Sequence, residues 1–217
     1  MKTIELFSGT KSFSKVAAEY FNAETFTVDF DPRTEPDLVK NVLELSIGEL
    51  PYVDVDFLWA SPPCTTYSVA AISRHRDGTR PKSVAAKISD QLVVKTLQII
   101  RHLEPKFWVI ENPVGMLRKM EFMQNIPRVT VTYCQYGDLR MKPTDLFGVL
   151  PPSFNARRCK NGMTCHVRAP RGSPTGTQGM KNATEKGVVP FKLCWELLNS
   201  AVHDIEKGEG FYQNALI

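Results

Sequence analysis

The chain has 217 residues, 42% of them apolar, and a net charge of +4. This length suits one domain with an insertion, and the composition fills a globular core, which excludes a disordered chain or a small disulfide-stapled module. No apolar run is long enough to span a bilayer, the first residues lack a leader's apolar block, and five cysteines without a paired framework point to a reducing cytoplasm.

In chain order, Lys2 to Phe7 reads as a short strand, Ser12 to Phe21 as a helix, and Thr25 to Phe30 as a second strand rich in β-branched and aromatic residues. Phe7-Ser8-Gly9-Thr10-Lys11-Ser12 joins the first two. Small residues there let the backbone approach a ligand, and the amino end of the helix offers unpaired amides. The Gly-Lys-Ser/Thr ending of a nucleoside-triphosphate loop is missing. Asp29 sits at the end of the second strand, where an acid in a doubly wound fold accepts hydrogen bonds from ribose hydroxyls, and Phe30 beside it is placed to stack on a purine. The combination predicts an adenosine-containing ligand at the switch point.

Val55 to Trp59 and Phe107 to Ile110 are continuous apolar runs bounded by breakers, the pattern of central parallel strands covered on both faces. The first leads into Ser61-Pro62-Pro63-Cys64 and the second into Glu111-Asn112-Pro113, which predicts a thiol and a carboxyl at neighbouring strand ends. Between them Val84, Ile88, Leu92, Thr96, Ile99 and Leu103 recur at helical spacing. Val129 to Tyr133 and Leu146 to Leu150 read as the last two strands, taken as antiparallel, and Phe191 to Ile205 as a final helix. The sum is an α/β fold, a Rossmann-like doubly wound sheet with a long basic irregular insertion. Residues 1–150 form the expected catalytic core, 151–190 a basic Gly/Pro-rich insertion, and 191–217 a helical segment packing back on the core.

Ser153 to Gly187 holds seven cations against Glu185 alone, a net of +6. A basic segment of this kind suits phosphate binding. Thr65 to Pro81 is the other long irregular stretch, placed to act as a mobile loop next to Cys64. A lone cysteine more often packs as a small hydrophobe, but two prolines and a strand-end position favour Cys64 as a nucleophile. Cys134 and Cys194, among apolar neighbours, keep the packing role. Cys159, Cys165 and His166 form a Cys-x5-Cys-His cluster without finger spacing or a clear fourth ligand, so no metal site is expected.

Glu5-Leu6-Phe7-Ser8-Gly9, Asp29-Phe30-Asp31, Ser61-Pro62-Pro63-Cys64, Ile110-Glu111-Asn112 and Tyr136-Gly137-Asp138-Leu139-Arg140-Met141-Lys142, taken in order, resemble the DNA cytosine-5 methyltransferases. The match spans most of Lys2 to Gly148. The resemblance implies a methyltransferase fold, S-adenosylmethionine as cofactor and DNA cytosine as substrate, with no membrane partner. It further implies that Phe7, Ser8, Gly9, Asp29, Phe30, Asn41 and Pro62 bind the cofactor and that Cys64, Glu111 and Arg140 are catalytic. Pro63, Ser68, Arg74, Arg76, Asn112, Lys142, Arg157, Arg158 and Arg171 are the expected substrate and DNA contacts. Several positions depart from the family pattern: Asn41 replaces an aspartate, Thr65 a glutamine and Pro113 a valine, while Thr144 falls at the third position of a motif begun by Arg140 and Lys142. No separate target-recognition domain follows the core.

In this chemistry the thiolate adds to carbon 6 of the ring, and a carboxyl at ring nitrogen 3 relieves the growing negative charge. A stacked cytosine must be flipped out or already single-stranded. Methylation of RNA or of a free nucleotide, or binding without turnover, are the alternatives that the residues leave open.

Overall fold

The computed structural model describes residues 1–160, 162–168 and 183–208. Its main sheet has seven strands: β1 (Lys2–Leu6), β2 (Glu24–Asp29), β3 (Leu38–Val39), β4 (Phe57–Ala60), and, after a two-stranded hairpin β5 (Arg76–Asp77) and β6 (Arg80–Pro81), β7 (Phe107–Pro113), β8 (Arg128–Thr132) and β9 (Pro143–Val149). Their spatial order is β3-β2-β1-β4-β7-β9-β8. The first five of these pair in parallel, and β9 runs antiparallel to both β7 and β8. The helices are α1 (Ser12–Phe21), α2 (Ile72–His75), α3 (Val84–Leu103), α4 (Ala183–Gly187) and α5 (Phe191–Glu206). The alternating strands and helices foreseen in the sequence are therefore present, and the last two long strands are antiparallel.

The apolar runs at β4 and β7 are buried on both faces because each face meets a separate core. Ile4, Leu58, Trp108 and Ile110 pack with Val93, Leu97 and Ile100 of α3 on one side. Phe57, Trp59, Phe107 and Val109 pack with Phe13 of α1 and Leu193 and Leu197 of α5 on the other. The Phe13 ring stacks on Trp59 at 5.2 Å, which fixes α1 against the strand that ends toward Cys64.

The helical stripe read across α3 needs a correction at its start. Val84 and Ile88 face solvent, at 73% and 42% exposure, and the buried face instead begins at Ala86 and Ser89. Ser83 caps the helix by accepting from the Ala86 amide at 3.1 Å, and the first turn already packs Ala86 inward, which leaves Val84 and Ile88 on its outer side. Among the described residues no helix is long and apolar enough to cross a membrane.

Topology dictates what gathers at one edge of the sheet. Parallel strands β1, β4 and β7 all finish there, β8 finishes there as well, and β9 starts there. Residues 7–9, 61–64, 111–113, 133 and 142 are thereby brought to a common rim, the position where doubly wound sheets bind ligands.

Candidate active site

The turn after β1 is built to hold an unusual backbone. Phe7, Gly9 and Lys11 all have positive φ, at 57°, 44° and 54°. Two of these carry a side chain, and such strain persists only where the surroundings enforce it. They do so here: the Ser8 amide donates to the Val28 carbonyl at 3.1 Å, and the Gly9 amide donates to Asp29 Oδ2 at 2.8 Å. Asp29 Oδ1 accepts from the Asp31 amide at 2.9 Å, so one carboxylate at the end of β2 organises both turns. Phe30 next to it is 71% exposed, its ring uncovered by the protein. Ser8 is buried with its hydroxyl unpartnered. A cleft of about 500 Å³ flanks this turn, lined in part by Gly9, Thr10, Lys11 and Asp31.

An uncovered aromatic, an orphaned hydroxyl and a glycine-containing turn at the start of a helix fit an adenosine-type cofactor. Asn41 lies just after β3. Its Oδ1 accepts from the Leu43 amide at 3.1 Å and caps a short helical turn beyond β3.

Glu5 escaped the sequence reading of individual site residues. It is buried on β1 and accepts from the Ser14 amide at 2.8 Å, with Phe13 at 3.5 Å, replacing the side-chain cap that α1 lacks. Burial pushes its carboxyl up to about 7, against the lowering pull of those amides. The available signal was an acid inside an otherwise buried strand.

The second turn carries the thiol. Ala60 of β4 pairs with Ile110 of β7, so Ser61 to Cys64 and Glu111 to Pro113 emerge side by side. Trp59 Nε1 donates to Ser61 Oγ at 2.9 Å, and Asn112 Nδ2 donates to the Pro62 carbonyl at 3.1 Å. Pro62 is buried while Pro63 and Cys64 are exposed, and Ser68 is partly so. Asn112 itself is buried, and while its Nδ2 clamps the proline turn its Oδ1 has no partner in the protein.

Glu111 is buried at the end of β7, and its Oε1 accepts from the Tyr133 hydroxyl at 2.8 Å. Tyr133 follows β8 and was absent from the sequence-based site because its meeting with Glu111 depends on β9 lying between the two strands. Burial and the neighbouring Glu111 carboxylate hold the phenol well above its ordinary pKa, so it stays a donor. Desolvation and the same carboxylate push the Cys64 thiol up, and the Lys142 ammonium opposes them. Lys142 lies over the Tyr133 ring at 4.5 Å and donates to the Lys186 carbonyl at 2.9 Å. Thiol, carboxyl, phenol and ammonium thus form one electrostatically coupled group.

Other expected contacts are distributed less uniformly. Arg140 is buried, ion-paired with Asp138, and directed at the backbone carbonyls of Glu185 and Lys186. It braces the stretch before α5, and Lys142 is the cation that acts on Cys64. Arg76 requires a correction. Its side chain is wholly buried, paired with Asp90 of α3 at 2.6 Å, bonded to the Thr66 carbonyl at 2.9 Å and stacked on Tyr67 at 4.4 Å, so it cannot grip phosphate. Tyr67 also donates to Asp90 at 2.7 Å, which moors the loop after Cys64 to α3. Arg74, Arg80 and Lys82 remain exposed on that loop. Arg157 pairs with Glu196 of α5 and stacks on Tyr136, whereas Arg158 is exposed. Arg171 lies outside the described residues.

The family model for C-5 cytosine-specific DNA methylase matches residues 1–131. A Frog virus 3 (isolate Goorha) protein described as a "probable DNA (cytosine-5)-methyltransferase" is 31% identical over 219 residues, covering 92% of this chain and 99% of the viral protein. Among solved structures, the Entamoeba histolytica methyltransferase EhMeth superposes with a TM-score of 0.51 at 18% identity, over 74% of this chain. The chain spans 57% of that structure's length, and the likeness concerns the fold. With a family match across more than half its length and a viral relative aligned from end to end, the chain belongs to the DNA (cytosine-5)-methyltransferase family.

Proposed function

We propose that this protein transfers a methyl group from S-adenosylmethionine to carbon 5 of cytosine in DNA, through a transient bond between Cys64 Sγ and ring carbon 6. The observation that carries this reading is the emergence of Cys64 and Glu111 from the paired ends of β4 and β7. When bound, the cofactor supplies an electrophilic methyl group on a sulfonium. Phe7, Ser8, Gly9, Asp29 and Phe30 are the residues that hold it, with Pro62 at the boundary between cofactor and base.

The charges suggest how the nucleophile is switched on. In the free protein Glu111 disfavours the thiolate, and Lys142 only partly offsets it. Once the glutamate shares a proton with ring nitrogen 3, its charge is relieved at the moment the thiolate must form, so base binding and sulfur activation are coupled. Tyr133 is a positioning residue that fixes the carboxyl by its hydrogen bond. As the S–C6 bond forms, the Cys64 thiol proton passes to the Glu111 carboxylate and from it to ring nitrogen 3; carbon 5 acquires the methyl group as the nitrogen 3 proton returns to Glu111; and loss of the carbon 5 proton to water restores the C5–C6 double bond and expels the Cys64 thiolate.

A duplex base must be flipped to reach this rim. Exposed Arg74, Arg80 and Lys82 are placed for phosphate contacts, and Ser153 to Gly187 is the candidate for sequence reading. Radiolabelled methyl transfer to duplex DNA, single-stranded DNA, RNA and dCMP tests the proposal. Label in DNA that is released as 5-methylcytosine supports it, and label confined to RNA or the nucleotide overturns it.

A further inference from the structure

The loop after β9 returns to the outer side of the sheet and meets the short helical turn Tyr133–Tyr136 that follows β8. Their contacts are backbone-deep. The Thr132 amide donates to the Arg157 carbonyl at 3.1 Å, the Cys159 amide to Thr132 Oγ1 at 2.7 Å, the Arg157 amide to the Tyr136 hydroxyl at 2.9 Å, and the Val167 amide to the Leu139 carbonyl at 2.9 Å. Within this seam, Cys134, Cys159, Cys165 and His166 turn toward a common point. Their four ligand atoms all lie within 4.8 Å of one another.

Three of the six separations match those of a metal coordination shell. Tetrahedral zinc with ordinary Zn–S and Zn–N bond lengths places its sulfurs about 3.8 Å apart and sulfur and nitrogen about 3.6 Å apart. Here Cys134 Sγ and Cys165 Sγ are 3.7 Å apart, and His166 Nδ1 lies 3.4 Å from Cys159 Sγ and 3.7 Å from Cys165 Sγ. A disulfide needs its sulfurs at about 2.05 Å, so none of these pairs is bonded. Gln135 Nε2 donates to Cys165 Sγ at 3.2 Å, an outer contact of the type that steadies ligating thiolates. Cys134 and Cys159 are buried, and Cys165 and His166 are half-buried.

We propose that Cys134, Cys159, Cys165 and His166 Nδ1 bind one zinc ion in a closed tetrahedral site that clasps the basic segment to the sheet. Three soft thiolates and an imidazole select zinc over magnesium or calcium, and four protein ligands leave no open position for catalysis, which makes the ion structural. The fourth ligand missing from the sequence reading is Cys134, 25 positions before Cys159 and taken there for a packing cysteine. Its neighbour Tyr133 holds Glu111, so the clasp lies one residue from the candidate catalytic carboxyl. The cluster stands by its own geometry and does not depend on the proposed methyl transfer.

The test is elemental analysis of the full chain purified from zinc-supplemented cells, followed by cobalt substitution and mass mapping of thiols. The expected result is one zinc per chain, a thiolate-to-cobalt charge-transfer band with tetrahedral d–d bands, and loss of the metal in Cys134→Ser and Cys159→Ser. Cys64→Ser should keep the zinc while losing methyl transfer, which separates this proposal from the catalytic one. A wild-type chain that purifies without zinc and takes up no cobalt overturns the proposal, whether its thiols are all free or Cys134 and Cys165 are joined. If the serine variants do not fold, the wild-type stoichiometry and cobalt spectrum decide the matter alone.

Discussion

In the proposed reaction Cys64 is the nucleophile, and its neighbours hold it in check. Its thiol is pushed up by desolvation and by Glu111 and drawn down by Lys142, so each partner can be read at the sulfur. Alkylation of Cys64 by iodoacetamide, followed by peptide mapping across pH, should show the midpoint falling in Glu111→Gln and rising in Lys142→Met. Identical midpoints in all three proteins would show that these charges do not reach the thiol. In the methyl-transfer assay Glu111→Gln should slow the reaction by about 10² to 10⁴, the usual scale for a lost proton donor. The residues that meet at this point were unequally visible in the sequence. Cys64 and Glu111 announce themselves, since each follows an apolar run and lies within two residues of a proline. Tyr133 gives no local sign, because only the strand order brings it to the carboxyl.

At the scale of elements, the loop between β4 and α3 illustrates why charge in a sequence does not locate charge in space. Arg74, Arg76 and Arg80 look alike as text, yet Arg76 is interior and satisfied by Asp90 and the Thr66 carbonyl, while the other two point outward. Removing one partner of a buried pair leaves an uncompensated charge. Arg76→Ala should therefore cost about 3 kcal/mol in urea unfolding, whereas Arg74→Ala and Arg80→Ala should stay within about 0.5 kcal/mol of the parent. Salt-dependent DNA binding should follow the opposite order, with Arg74→Ala and Arg80→Ala the weaker binders. Equal stability losses in all three would contradict the placement. The strands themselves were legible because continuous apolar runs admit few readings, and α1 was marked by its small-residue turn. The start of α3 was misread, since Val84 and Ile88 fit a helical period as well as Ala86 and Ser89 do, and spacing does not say which of two adjacent faces packs inward.

Across the whole molecule, one buried acid ties stability to pH. The folded-state value of Glu5, about 7, exceeds the ordinary 4.5, so the native state binds a proton that the unfolded chain releases earlier. Its contribution is fully present below about pH 4.5 and is lost as pH rises through about 7. The difference corresponds to about 3 kcal/mol. Glu5→Gln keeps an acceptor for the α1 amides without a charge to bury, so it should gain about 3 kcal/mol relative to the parent between pH 5 and pH 8 in urea titrations. Parallel stability curves for the two proteins would contradict a raised Glu5. The same rim that Glu5 underlies collects the cofactor turn, the thiol and the carboxyl, and that arrangement followed from the alternation of strands and helices. The clasp between residues 134 and 166 did not, because its ligands come from separate segments whose contact is set only by the folded sheet.

The central claim is that Cys64 bonds to a cytosine ring in the course of methyl transfer. Incubating the protein and S-adenosylmethionine with DNA containing 5-fluorocytosine blocks the final elimination, so a denaturation-resistant protein–DNA adduct should accumulate, map to Cys64, and vanish in Cys64→Ala. Methylation of ordinary cytosine DNA without any such adduct, or an adduct that persists in Cys64→Ala, would contradict it.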